Sequence, residues 1–253
     1  MQSGKARWTA YLMEAGGLGG FVVFAGMLTI FLEHPDLPVM NGFLKDHPLL
    51  RRIPLGIIMG VYVALITHFF GKTSGAHTNP AVTWIFFRLG KIKFQDALLY
   101  TLFQLAGAVF GALALKYFAG TLFSHERIFY GVTRPVPPHD MATAFIAEFV
   151  ISFILMAVML FASSSRIFER KIALITGILI CLFLIFELPM SGMSLNPARS
   201  FAAAVAANEW DHFWIYLISP PLAMLLASFL FQVTKKKLPA ADYKELDIFP
   251  AAG

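Results

Sequence analysis

The sequence predicts an all-α membrane protein: six crossing helices plus two half-length helices, arranged as an inverted repeat. Three observations predict it: the composition, six long apolar runs and a motif that occurs twice. Of the 253 residues, 58% are hydrophobic and 14% charged, with 26 Phe and a mean hydropathy of +0.69. A soluble domain carries about a quarter charged residues, so the implied solvent is lipid. The 20 Lys+Arg against 15 Asp+Glu leave a net +5. These cations sit between apolar runs, so they mark orientation in a membrane and do not build a nucleic-acid surface. The one cysteine, Cys181, excludes an intramolecular disulfide and a multi-cysteine metal site. Within Leu179-Ile180-Cys181-Leu182-Phe183 it reads as a packed small hydrophobe.

A hydrocarbon core takes roughly 20 apolar residues per helix. The runs at residues 9–32, 53–70, 97–118, 141–162, 172–188 and 213–233 meet that test, and six crossings put both termini on one side. Lys5 and Arg7 precede the first run, but five more follow and no small-residue cleavage site is convincing, so it reads as a retained helix. Lys72, Arg88, Lys91 and Lys93, then Arg166, Arg170 and Lys171, then Lys235, Lys236 and Lys237 fall on the side of the N-terminus. By the positive-inside rule that side is cytoplasmic. The opposite connections mix signs, as in Glu33, Asp36, Lys45 and Asp46, or are acidic, as in Glu209 and Asp211. Residues 1–253 read as one membrane domain, with repeats over about 7–118 and 141–234 and a polar tail over 235–253. Arg134-Pro135-Val136-Pro137-Pro138 suits an ordered extracellular loop.

Two segments remain outside the six runs: Thr73-Ser74-Gly75-Ala76-His77-Thr78-Asn79-Pro80-Ala81 and Met190-Ser191-Gly192-Met193-Ser194-Leu195-Asn196-Pro197-Ala198. They share Ser-Gly, three intervening residues and Asn-Pro-Ala. Each follows the second run of its half, and a unit of three crossings enters the membrane with the opposite orientation when it repeats. Asn-Pro starts a helix: Asn at the N-cap, and Pro at the first helical position, where its missing N–H does no harm. The apolar segments that follow, 80–88 and 197–207, reach only roughly 14 Å and 16 Å at about 1.5 Å per residue. End to end they match a core of about 30 Å, as two re-entrant half-helices meeting N-terminus to N-terminus at the midplane would. Irregular backbone at that depth survives only inside protein or beside water, which implies an aqueous path. Each facing N-terminus brings about +0.5 of a charge from its aligned peptide dipoles, and Asn79 and Asn196 can each aim an amide N–H into the path.

The duplicated Asn-Pro-Ala, with Arg199 three residues after the second Asn only, resembles the aquaporin or major intrinsic protein family over residues 7–234. That resemblance implies a passive channel for water and small uncharged solutes such as glycerol or ammonia. It also implies a plasma-membrane location and a homotetramer with one pore per subunit, with no cofactor or metal and no enzymatic activity. Exclusion of protons by an Arg and half-helix dipoles is a known property of aquaporin-type pores and is implied here in the same way. Glu14 and Glu148 fall where the family has a buried glutamate bracing each re-entrant loop; an intramembrane carboxylate is costly unless paired. Tyr100-Thr101-Leu102-Phe103-Gln104-Leu105-Ala106-Gly107-Ala108 resembles the family's third-helix motif, with Gln104 facing the loops and Gly107 and Gly111 allowing close helix packing.

By the family's spacing, the selectivity filter falls on Met59, Leu184, Met193 and Arg199. Arg199 matches. The other three depart both from strict water channels, with their Phe, His and small residue, and from glycerol channels, with two aromatics and a glycine. Leu184 removes a polar wall that a His would supply, and Met59 and Met193 are unbranched and adaptable. The expected filter is an apolar, deformable sleeve with one fixed cation. Ser200, Ala204 and Tyr216 agree with the water type, and Leu217 does not. Glu187, just before Pro189, reads as a headgroup-level charge, a partner for Arg199 or a gate at the entrance. His77 shapes the motif loop and His68 packs in the second crossing. His34, His47, His125, His139 and His212 lie in or beside external connections without metal-ligand spacing. Two other classes stay open: a secondary transporter, which also uses inverted repeats and broken helices, and a non-conducting structural protein of the same fold. Neither serine of the motif loops has the His-Asp company of a hydrolase.

Overall fold

The computed structural model describes residues 4–237. Its long helices are α1 (Gly4–Glu33), α2 (Pro48–Phe70), α4 (Phe94–Ala119), α6 (Met141–Ser164) and α10 (Phe213–Lys237), and the half-helices are α3 (Pro80–Arg88) and α9 (Pro197–Ala207). One-turn helices α5 (Thr121–Ser124) and α8 (Leu188–Ser191) and the intermediate α7 (Ile172–Phe186) complete the set. No strand occurs among the described residues.

Among the described residues, five helices are long and apolar enough to cross a membrane. The fifth run of the sequence, expected over 172–188, forms α7 with 15 residues, about 22 Å at 1.5 Å per residue. Leu188 and Pro189 then open the separate turn α8, with Pro in its first turn. Pro lacks the N–H that would continue the ladder, so the run is divided there. Of the tail expected over 235–253, residues 235–237 continue helix α10; the remainder lies outside the described residues.

The helices pack in pairs through small residues. At Gly107 an added Cβ would stand 2.1 Å from Ala15 O, and at Gly111 2.6 Å from Gly19 O, so α1 and α4 touch backbone to backbone. Helices α2 and α7 do the same: a Cβ added at Gly60 or Gly177 would stand 2.5 Å from the other's carbonyl oxygen. In a bilayer, where lipid tails offer no hydrophobic drive between helices, such close approach is what holds them. Cys181 joins this α2–α7 contact through its Cβ and carbonyl. Around the outside stand exposed apolar side chains such as Phe110, Tyr117 and Phe118, a surface suited to lipid.

The half-helices keep the bounds that Asn-Pro and their apolar lengths predict. Asn79 caps α3, accepting from Ala81 N–H at 2.9 Å. Asn196 caps α9, accepting from the N–H groups of Ala198 at 3.0 Å and Arg199 at 3.4 Å. The outer connections are ordered too. Arg51 pairs with Glu33 at 2.9 Å and donates to the carbonyls of Leu44 and Lys45. The Pro-containing connection folds back on the second motif loop: an added Cβ on Gly192 would meet Thr133 Cα at 3.0 Å. Asp140 caps α6 by accepting from Thr143 N–H at 2.8 Å, which holds its carboxyl below the usual aspartate range.

Candidate functional site: a pore between two half-helices

The capping asparagines bind across the midplane. Asn79 Nδ2 donates to Leu195 O at 2.8 Å, and Asn196 Nδ2 donates to Thr78 O at 2.7 Å. Each Oδ1 serves its own helix, one amide N–H serves the opposite loop, and each amide keeps one further N–H. Both asparagines line a cavity of about 550 Å³, so those two remaining donors are available to whatever occupies it.

The loops that carry them are held in an unfavourable backbone. Gly75, Ala76 and Thr78 have φ of +88°, +49° and +42°, and Gly192, Met193 and Leu195 have +84°, +49° and +59°. A non-glycine residue in this region costs about 1–3 kcal/mol and persists only where its surroundings hold it. Here a buried carboxylate holds each loop. Glu14 accepts from Ser74 Oγ at 2.7 Å, His77 N–H at 3.0 Å, Thr78 N–H at 2.5 Å and Gln104 Nε2 at 2.8 Å. Glu148 accepts from Ser191 Oγ at 2.7 Å, Ser194 N–H at 2.5 Å and Leu195 N–H at 2.8 Å. Relative to each Asn, the partners sit at the same three offsets.

Two tyrosines complete the clamps. Tyr100 donates to Ser74 O at 2.7 Å and Tyr216 to Ser191 O at 2.5 Å. Sequence reasoning missed this function of both; the signal was their near-equal distance past each Asn. Gln104 reaches both Glu14 and Thr83 Oγ1. His77 is buried against Phe86, stacked at 5.0 Å, with Nδ1 3.0 Å from Thr83 Oγ1; the ring is part of the loop's packing.

The cavity is lined by Lys72, Glu169 and Arg170 as well as by Met193 and Arg199. Val63 on α2 and Ile180 on α7 line it. Met59 and Leu184 stand one helical turn further along the same faces, buried in the same apolar cluster as Met193. Of the four filter positions, Met193 and Arg199 line the cavity, and Met59 and Leu184 pack in one apolar cluster with Met193. Arg199 follows Asn196 on the first turn of α9, with Nη1 buried and without a protein hydrogen bond.

Behind Arg199 runs a chain of hydroxyls that the sequence did not reveal. Thr133 Oγ1 is 2.7 Å from Ser200 Oγ, which is 2.5 Å from Ser194 Oγ, tying the Pro-containing connection to the second loop. Glu187 also differs from a headgroup-level charge. It is 5% exposed, and its Oε1 lies in hydrogen-bond contact with Ser191 Oγ. The turn at Leu188-Pro189 draws it inward.

A helical bundle with two half-helices meeting end to end beside a cavity that crosses their junction is the architecture of a membrane channel. The profile described as Major intrinsic protein matches residues 7–231, and the chain belongs to that family. It is 30% identical over 235 residues to aquaporin NIP2-2 of Zea mays, covering 92% of this chain and 78% of that one. It is likewise 30% identical to glycerol uptake facilitator protein-like 6 of Lactiplantibacillus plantarum, covering 88% and 96%. Among solved structures it matches the aquaglyceroporin from Plasmodium falciparum with a TM-score of 0.74, covering 91% of this chain and 98% of that one. At 22% identity that likeness shows the fold alone.

Proposed function

We propose that the chain is a passive pore for water that also passes small uncharged solutes such as glycerol and ammonia, and excludes ions and protons. The observation that carries this reading is the pair of asparagine caps. They are bound to each other's loops, and each presents one spare amide N–H to a cavity that spans the junction of the half-helices. A molecule that both donates and accepts hydrogen bonds can exchange partners there, whereas a cation meets two positive helix ends. The relatives named for water and for glycerol support the two substrate classes.

In this reading Asn79 and Asn196 contact the permeating molecule, Pro80, Ala81, Pro197 and Ala198 start the half-helices, and Glu14, Glu148 and Gln104 brace the loops. Met59, Leu184, Met193 and Arg199 form the selective constriction. The whole chain acts as one channel domain, not an enzyme, and assembles as a homotetramer in the plasma membrane with both termini cytoplasmic. The cation-rich connections support that orientation.

One observation favours a second reading, a fold that conducts little: Met193, which lines the cavity, is packed with Met59 and Leu184 in a buried apolar cluster, and an apolar constriction can dewet. Stopped-flow shrinkage of proteoliposomes in sucrose and then in glycerol separates the two. Rates above those of empty liposomes are expected in both; no excess in either refutes the pore.

A further inference from the structure

The two halves treat the serine of their loops differently. Ser74 Oγ donates to Glu14 Oε1 at 2.7 Å and accepts from Ala76 N–H at 3.0 Å. Its third neighbour, Phe70 O, stands at 3.5 Å. Ser191 Oγ has the matching pair, Glu148 Oε1 at 2.7 Å and Met193 N–H at 3.0 Å. Its third neighbour is a second carboxyl oxygen, Glu187 Oε1, in closer contact.

A hydroxyl has one proton to give and two lone pairs to offer. With Met193 N–H on one lone pair, Ser191 can give its proton to only one of the two carboxyl oxygens. The other contact needs a proton that the carboxyl brings itself. Glu148 is the one suited to stay ionised, because it accepts the backbone N–H groups of Ser194 and Leu195, and charge-assisted bonds of this kind favour a carboxylate. Among the described residues Glu187 receives no backbone donor, and its Oε2 is buried without a partner.

We propose that Glu187 is held as a neutral carboxylic acid that donates its proton to Ser191 Oγ, and that it thereby positions Met193 in the wall of the cavity. The proton count stands on geometry alone; the consequence for permeation rests on the channel reading. The charged and titratable groups facing Glu187 are Glu148 on α6, Arg199 on α9 and Tyr216 on α10. From α2, Arg52 reaches the adjoining turn by donating to Ile185 O at 3.1 Å. Without its proton, Glu187 would set a second carboxylate against the hydroxyl that Glu148 already holds. The repulsion would free Ser191, and with it the Met193 N–H that Ser191 Oγ accepts. In the first half Phe70 occupies the corresponding position, so no such proton is needed there.

The primary test is infrared difference spectroscopy of the reconstituted full chain at neutral pH, wild type minus Glu187→Gln. A carbonyl-stretch band of a protonated carboxyl, sensitive to deuterium exchange and lost in the variant, is expected. Should the glutamine variant fold poorly, Glu187→Ala makes the same assignment. A wild-type spectrum without that band overturns the proposal, whatever the permeability.

The second arm follows water permeability from about pH 5 to about pH 9, a range that brackets ordinary and buried carboxyls. Wild type is expected to lose permeability toward the alkaline end. Glu187→Gln is expected to abolish that loss, because its amide donates to Ser191 and cannot ionise. A glutamine variant that keeps the alkaline loss overturns the positioning role. A wild type that shows the band but never conducts refutes the pore and leaves the proton in place.

Discussion

Replacing Glu148 by Leu tests whether the buried carboxylate holds the second loop. Three donors lose their acceptor: Ser191 Oγ–H, Ser194 N–H and Leu195 N–H. An orphaned buried donor costs about 1–3 kcal/mol. The Ser191 hydroxyl can turn elsewhere, so the two backbone groups set a loss of about 2–6 kcal/mol. Removing the carboxylate also removes its own desolvation cost, which works the other way and places the net at about 2–4 kcal/mol. For a chain of this length that lowers the melting midpoint by about 4–16 °C. Glu148→Gln keeps one acceptor oxygen and orphans a single backbone N–H, so about 1–3 kcal/mol is expected. Thermal unfolding in detergent reads the stability, and stopped-flow shrinkage of proteoliposomes reads the pore. Permeability should fall in the order wild type, Gln, Leu, because the strained backbone at Met193 and Leu195 has lost its brace. A leucine variant that melts and conducts like wild type would refute the reasoning.

Arg199→Val removes the cation that lines the cavity beside Met193 and should raise glycerol and proton leak; unchanged selectivity in the same vesicles would mean that discrimination lies elsewhere. Gly107→Ala places a Cβ where Ala15 O stands 2.1 Å away, forcing α1 and α4 apart at a cost of about 1–3 kcal/mol; an unchanged melting midpoint would reject the backbone contact. The Asp140 carboxyl is held low, first by the backbone N–H of Thr143. Its contribution is therefore present above the ordinary aspartate value of about 3.9 and is lost as pH falls through the lowered value. Asp140→Asn keeps a good cap but cannot titrate. Its acid melting curve should lack that step, and a curve that follows wild type through the acid range would show the cap to be inert.

What could be read from the sequence was whatever a local rule governs. Length and hydropathy placed the crossings, because bilayer thickness fixes how many apolar residues a helix needs. Asn79-Pro80 and Asn196-Pro197 gave the starts of both half-helices, because capping is decided within one turn. The rest depends on residues far apart in the chain. The sequence left Glu187 open as a headgroup-level charge, a partner for Arg199 or a gate, and its contact with Ser191 forms only once the chain turns at Leu188-Pro189. Thr133 lies 67 positions from Ser200, and no periodicity links them. Asp96 shows the same limit: it begins α4, yet binds Arg7 at 2.6 Å and Tyr11 at 2.5 Å on α1, a junction made by the glycine contact between those helices.

The duplication bears on where the proposed pore would select. Backbone, carboxylate, serine and tyrosine recur in both loops, so the two halves meet at the midplane nearly as equals, each offering one spare asparagine N–H. A symmetric station of this kind serves any hydrogen-bonding solute and discriminates little. The halves differ at Phe70 against Glu187, nine before the Asn, Ala76 against Met193, three before, and Val82 against Arg199, three after. At the last two the second half bears the bulkier or charged side chain, and Glu187 is the residue that touches the loop presenting them. That same loop lines the cavity. In the proposed pore, discrimination is expected where the repeat is broken, off the midplane on the side of α9, with the repeated clamps holding that asymmetric edge in place.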